Sequence, residues 1–219
     1  ECDLMNNENE GMVYINGLLL HPQVQKLKLV DDKGITVAAH TYDVLRIALE
    51  KINEKYSNDI EQAINEIDLF ILIVGTIIHD TTKGSLRLND SDMSHSKVMK
   101  NKPHLAIQEA KNILKDVESF THYKLKGNIK EKVYHIVASH HGRWGKIKPN
   151  TYEAKVVHKA DKYSAMYHRI TPIGARDIIK LLDKGFSKKE VLNITGYTKG
   201  IIDSRLKKAR SHLKIRTTK

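Results

Sequence analysis

Apolar residues recur along most of this chain at three- and four-residue spacing, the period of an amphipathic helix. Residues 1–11 are polar, rich in Asn and Glu, and read as disordered, and a short stretch at residues 12–20 admits a strand. His21-Pro22 then opens a short helix, because Pro is tolerated at the first helical position, and Asp31, Asp32 and Gly34 close it. Val44, Ile47, Ala48 and Ile52 share a helical face, and His40, four residues before Val44, points to the same side. A helix beginning near Ser57 becomes apolar on every side between Leu69 and Ile78 and ends at His79-Asp80. A helix without a polar face belongs at a domain centre, so its last residues are held deep.

Residues 81–103 are polar and read as a loop. Pro103 starts a helix that runs through Phe120, with Ala106, Ala110, Ile113 and Leu114 inward. Further helices are predicted over 129–141, with Val133, Ile136, Val137 and His140 on one face, and over 152–170, with Ala154, Val157 and Asp161 on one face. The expected fold is all-α: a helical bundle over residues 12–170 and a separate tail over 171–219, with Thr171-Pro172 at the boundary.

Charge sharpens the view of the tail. The formal net charge is +11, and residues 172–219 hold thirteen Lys or Arg against four Asp or Glu. A balance of that kind favours a polyanionic partner: nucleic acid, nucleotide or an anionic membrane surface. Ser187 and Glu190 have the spacing of a capping box, between an amphipathic helix from Ile178 and the apolar positions Val191, Leu192 and Ile194. A second turn at Gly196-Tyr197-Thr198 leads into a basic helix, which together read as a small helix-turn-helix-like appendage. Arg205, Lys207, Lys208 and Arg210 would then contact phosphates; the competing reading is a helical hairpin that docks on the core or in a homo-oligomer.

The single Cys, Cys2, allows no internal disulfide, and no cationic stretch followed by an apolar run opens the chain, so a cytoplasmic setting is expected. The longest apolar run, residues 67–78, is interrupted by Asp68, Gly75 and Thr76 and is too short to span a bilayer, so no membrane is expected.

Imidazole and carboxylate are the ligands of catalytic transition-metal sites. With twelve His in the chain, a lone His40 or His104 would ordinarily be a core or capping residue. Order and context raise the set above that: His40 lies on one helix, His79-Asp80 ends the next, His104 opens another, His140-His141 ends a fourth, and Asp161 lies within a fifth. Bundles build metal centres from facing helices in this manner.

The chain resembles the HD superfamily of metal-dependent phosphohydrolases, whose pattern is His, then His-Asp, then one or more His, then Asp. Ile77-Ile78-His79-Asp80-Thr81-Thr82-Lys83-Gly84 resembles the family's apolar helix end followed by HDxxKG. His140-His141-Gly142, then Pro149-Asn150-Thr151-Tyr152-Glu153-Ala154, then His158-Lys159-Ala160-Asp161 is similar to the HD domains of bacterial 3′-to-5′ exoribonucleases. Those enzymes carry an N-terminal oligonucleotide-binding barrel, for which this chain has no room.

The resemblance implies an HD-domain helical bundle that binds two divalent metals, Mn, Fe, Ni or Co, with Zn not excluded. One metal would take His40, His79, Asp80 and Asp161. The second would share Asp80 and take His104, His140 and His141, with His95 competing for the place of His104. It further implies Asp80 and Lys83 as catalytic residues and Lys83 as a phosphate ligand. Arg143 and Trp144, on the loop after the His pair, would hold a phosphate and stack on a base, and His158 reads as structural. The leading function is hydrolysis of phosphodiester bonds in nucleic acid, exonuclease-like. The alternatives are a nucleotidase or cyclic-dinucleotide phosphodiesterase, and a DNA-binding regulator that senses a nucleotide.

Overall fold

A computed structural model of the chain describes residues 2–32, 35–56, 59–88, 94–167, 175–195, 199–200, 202–203 and 206–207. Among these residues the fold is all-α, with a lone antiparallel bridge between Asp31 and Thr36 and no strand. The chain divides into two compact units, Glu1–His168 and Arg169–Lys219.

The first unit holds ten helices among its described residues: α1 (Cys2–Leu20), α2 (Pro22–Lys26), α3 (Val37–Lys55), α4 (Ile60–Glu66), α5 (Leu69–Ile78), α6 (Thr82–Leu88), α7 (His95–Asn101), α8 (Pro103–Thr121), α9 (Gly127–Ser139) and α10 (Tyr152–Tyr167). α5 lies at the centre, against α1, α3, α9 and α10, as its lack of a polar face requires. Ile71, Leu72, Val74, Ile77 and Ile78 are buried there. By length and hydropathy residues Leu69–Leu86 would pass as a membrane span, but 67% of that window is buried inside the bundle.

Three expectations about this unit need correction. The N-terminal segment is neither disordered nor extended, since α1 runs from Cys2 to Leu20. An apolar stripe on its C-terminal half holds it. Tyr14 and Leu18, four residues apart, are fully buried, and Tyr14 packs its ring against Phe70 and Tyr123. Gly17 lets α8 approach so closely that a Cβ there would stand 2.5 Å from Thr121 Cγ2. The helix drawn from Ser57 to Ile78 is two helices. Ile67 is extended, and the Asp68 carboxylate caps α5 by accepting from Ile71 N at 3.0 Å. The loop expected over 81–103 contains α6 and α7, the latter capped by Ser94, whose hydroxyl accepts from Lys97 N.

The second unit, described by itself, contains α11 (Ala175–Asp183) and α12 (Lys188–Thr195). Gly185, at φ +92°, makes the turn between them, a conformation open to glycine. The capping box forms: Glu190 N donates to Ser187 Oγ at 3.3 Å, and Ser187 N donates to Glu190 Oε2 at 2.7 Å. Ile178 and Val191 are buried with Ile202 and Leu206 in a small separate core. Lys207 is exposed, whereas Arg205, Lys208 and Arg210 lie outside the described residues.

Candidate metal centre

α5 and α9 both stop at a histidine. His79 is the C-cap of α5 and His140 the C-cap of α9, and both keep right-handed helical backbone angles. Each imidazole turns back on its own helix. His79 Nδ1 lies 2.6 Å from the Thr76 carbonyl and His140 Nδ1 lies 2.7 Å from the Val137 carbonyl. A carbonyl can only accept, so both Nδ1 atoms carry the proton and both Nε2 atoms present a lone pair. The helices therefore decide the tautomers, and their meeting brings the two rings to 5.0 Å.

The other ligand candidates converge on this pair. His40, one turn into α3 and fully buried, places Nδ1 2.9 Å from Ser164 Oγ and Nε2 2.9 Å from Asp161 Oδ1. Asp80 lies at the centre. Its Oδ2 is 3.4 Å from His79 Nε2 and 3.8 Å from His40 Nε2, and its Oδ1 is 3.6 Å from His140 Nε2. His141 packs its ring 4.6 Å from that of His140.

His104 is not among them. It is exposed, because the inward face of α8 is taken by Pro103, Ala106, Ala110 and Ile113. The position beside Asp80 and His140 expected of it is occupied by His95, the first residue of α7. The His95 ring is buried, its Nδ1 is 2.7 Å from Thr82 Oγ1, and its Nε2 is 3.1 Å from Asp80 Oδ1 and 3.3 Å from His140 Nε2. The donors fall into two groups, His40–His79–Asp80 and His95–His140–His141, each with ligand atoms within 4.8 Å of one another.

Electrostatics keeps His79, His95, His141, Asp80 and Asp161 in the form a cation needs. Burial, only partly opposed by Asp80, lowers His79 to about 4. Burial, helped by His140 and His95, lowers His141 to about 3, and burial also lowers His95. For Asp80, burial pushes the carboxyl up, but Lys83, His79 and His95 together hold it well below the usual range. For Asp161 burial acts likewise, and the His40 contact followed by His140 outweighs it, so this carboxyl is also depressed. Neutral imidazoles and ionised carboxylates are what metal binding requires.

The donor set fits divalent cations on a further observation. His79 Nε2 and Asp80 Oδ1 are buried side-chain atoms with no hydrogen-bond partner. Leaving an imidazole lone pair and a carboxylate oxygen unpaired in a dry interior is costly, and cations held by the two donor groups would satisfy them.

Around the donors stand residues that pattern reasoning missed, Ser164, Thr82 and Asp32. Each is a common residue in an unremarkable local context. Lys83 Nζ lies 2.6 Å from Asp80 Oδ2. Gly142, at φ +55°, leads from the His pair into a 3-10 turn, Gly142–Trp144, and a Cβ there would stand 2.3 Å from the His158 ring. That ring donates from Nδ1 to the His140 carbonyl at 2.5 Å, the structural role expected of it. Trp144 is 52% exposed, with Arg143 Cζ 4.4 Å and Lys162 Nζ 5.9 Å from its ring centroid.

Residues 37–166, more than half the chain, match the HD domain. This chain belongs to the HD domain family. Membership brings with it the metal-dependent phosphohydrolase chemistry of the domain and the binding of divalent metal. The chain is also 28% identical, over 159 residues, to the dihydroneopterin 2′,3′-cyclic phosphate phosphodiesterase of Methanocaldococcus jannaschii. The alignment covers 69% of this chain and 54% of that protein, so the chain spans about half the length of the relative it matches. That relative is a phosphodiesterase rather than an exoribonuclease. No solved structure matches the chain.

Proposed function

We propose that the chain is a two-metal phosphodiesterase acting on a small nucleotide-type phosphodiester. The observation that carries this reading is the Asp80 carboxylate, whose Oδ2 faces His79 and His40 and whose Oδ1 faces His95 and His140, with Oδ1 and His79 Nε2 buried and without a hydrogen-bond partner. His40, His79, Asp80 and Asp161 would hold one cation; Asp80, His95, His140 and His141 the other. Mixed imidazole and carboxylate donors suit Mn, Fe, Ni, Co or Zn better than Mg. Bound there, the cations would supply Lewis acidity towards a phosphoryl oxygen and a bound water ionised near neutral pH.

The remaining chemistry belongs to the chain's own side chains. Asp80 and Asp161 stay anionic and balance the cationic charge. Thr76, Val137, Ser164 and Thr82 each hold the outer nitrogen of one imidazole, which fixes where its Nε2 points. Lys83, beside Asp80, offers its ammonium to a phosphate oxygen. Arg143 and Trp144 follow His141 on the 3-10 turn and offer a cation and an exposed aromatic face to a base. A cyclic phosphodiester is favoured by the activity named for the archaeal relative.

A second reading, cleavage of polynucleotides, draws on the excess of basic residues at 172–219 and on the capped helical pair in that unit. One experiment separates the two. The chain is incubated with Mn²⁺ and 2′,3′-cyclic nucleotides, cyclic dinucleotides, single-stranded RNA or single-stranded DNA, wild type beside Asp80→Ala. Turnover of the small cyclic esters, lost in Asp80→Ala, supports the leading reading. Shortening of polymer alone supports the second, and no turnover on the whole panel refutes both.

A further inference from the structure

Lys83 has a second acidic neighbour. Its Nζ lies 2.8 Å from Asp32 Oδ2 as well as 2.6 Å from Asp80 Oδ2, and Asp32 and Lys83 are 51 residues apart in the chain. The contact is shielded, with the two side chains 13% and 14% exposed. Asp32 is also held in place. Its N–H donates to the Ile35 carbonyl at 2.8 Å, Asp31 bridges to Thr36, and Val37 N donates to the Val30 carbonyl at 2.8 Å. That turn runs directly into the N-cap of α3, one turn before His40. The Asp32 carboxylate is therefore tied to the same backbone that places a metal-ligand candidate.

Asp80 and Asp32 differ in what happens to them when the centre is loaded. Asp80 belongs to the donor set, so its oxygens are drawn to cations, and those cations repel an ammonium next to them. A shielded ammonium left beside cations swings out towards water unless another carboxylate retains it. We propose that Asp32 is a positioning residue that retains the Lys83 ammonium at the rim of the loaded centre. The donor that points at Asp80 is thereby turned to a phosphate oxygen of the substrate while the contact with Asp32 persists. This rests on the reading above in which Lys83 touches phosphate, but its test does not depend on turnover.

Inorganic phosphate binding to the Mn²⁺-loaded full chain is measured by calorimetry for wild type, Asp32→Asn, Asp32→Glu, Lys83→Ala and the double variant Asp32→Asn/Lys83→Ala. Bound Mn²⁺ and the unfolding midpoint are recorded for each. Loss of one charge-assisted hydrogen bond predicts phosphate binding weaker by about 10- to 100-fold in Asp32→Asn and in Lys83→Ala. Asp32→Asn should have no further effect once Lys83 is Ala, Asp32→Glu should recover part of the loss, and bound Mn²⁺ should stay at the wild-type level. A merely structural Asp32 would weaken binding in the Lys83→Ala background as well, and that result overturns the proposal. So does wild-type affinity in Asp32→Asn, or a wild-type protein that binds no phosphate. If the binding cycle behaves as stated but no phosphodiester is hydrolysed, the positioning role stands and the phosphodiesterase reading fails.

Discussion

Replacing Gly75 with Ala puts one methyl group between α5 and α9, one turn before the histidine that ends each helix. An ideal Cβ at Gly75 lies 2.6 Å from Ile136 Cδ1, 3.0 Å from Cγ2 and 3.1 Å from Cβ. Carbon atoms in contact sit about 3.5–4.0 Å apart. Rotation about χ2 moves Cδ1 away, but Cβ and Cγ2 sit close to the α9 backbone, so the helices must part by roughly 0.5–1 Å to restore that contact distance. For stability two effects oppose each other. Ala is favoured over Gly within a helix by about 1 kcal/mol, and overpacking a core costs about 1–3 kcal/mol. The net loss is about 0–2 kcal/mol, a fall in melting temperature of a few degrees for a chain of this size.

The metal centre tolerates far less. Ligand distances must hold within about 0.2 Å, and faults in the residues that orient ligands cost about 10- to 100-fold in metal affinity. Gly75→Ala should therefore fold and yet bind Mn²⁺ about 10- to 100-fold more weakly. The assays are calorimetric Mn²⁺ titration and thermal unfolding of the metal-free protein. Ile136→Ala added to Gly75→Ala removes Cδ1 and Cγ2 and should restore much of the affinity. Wild-type Mn²⁺ affinity in Gly75→Ala would refute the claim that this helix contact sets the spacing of His79 and His140.

Three further outcomes are expected. His95→Ala should lower bound Mn²⁺ and reduce phosphodiester turnover by about 100-fold or more, as removal of a catalytic metal's ligand does, whereas His104→Ala should leave both unchanged; the reverse pattern, read by metal analysis and initial rates, would restore His104 to the centre. Ser164→Ala should weaken Mn²⁺ binding by about 10- to 100-fold with little change in helix content, since it removes the hydroxyl beside His40 Nδ1; unchanged affinity in a metal titration would show that Ser164 does not orient His40. Metal-free protein should lose stability as pH falls from about 6.5 to 4, because the unfolded chain takes up a proton there that buried His79, lowered to about 4, refuses. His79 alone accounts for at most about 3 kcal/mol, and His141, lowered to about 3, acts in the same direction. The depressed carboxyls of Asp80 and Asp161 lose their contribution only at lower pH, so they leave this window intact. Urea midpoints of chelator-treated protein that do not move between pH 7 and 5 would contradict this.

Much of the centre was legible in the chain because local rules determine it. α5 has no polar face, so it had to be central, and His79-Asp80 at its end had to be deep. His140 shares a helical face with Val133, Ile136 and Val137, and Asp161 shares one with Ala154 and Val157, so their directions follow from the 3.6-residue period alone. The Ser187–Glu190 capping box is a three-residue relationship and forms as its spacing suggests. What could not be read depends on contacts between distant segments. α1 is helical because Tyr14 and Leu18 find a groove lined by α8 and α5, which its own polar composition does not announce. His95 and His104 both stand at helix starts, and the packing of α7 against α8, α6 and the 3-10 turn after His141 turns the first inward and leaves the second in solvent. Asp32 reaches Lys83 across 51 residues because a tight turn into α3 happens to end beside α6. Helical period and end signals act over a few residues, so the chain alone determined which faces of α3, α5, α8, α9 and α10 are buried. Which buried faces meet is a property of the packed bundle, and that packing decided which histidine completes the candidate donor set and what partners Lys83.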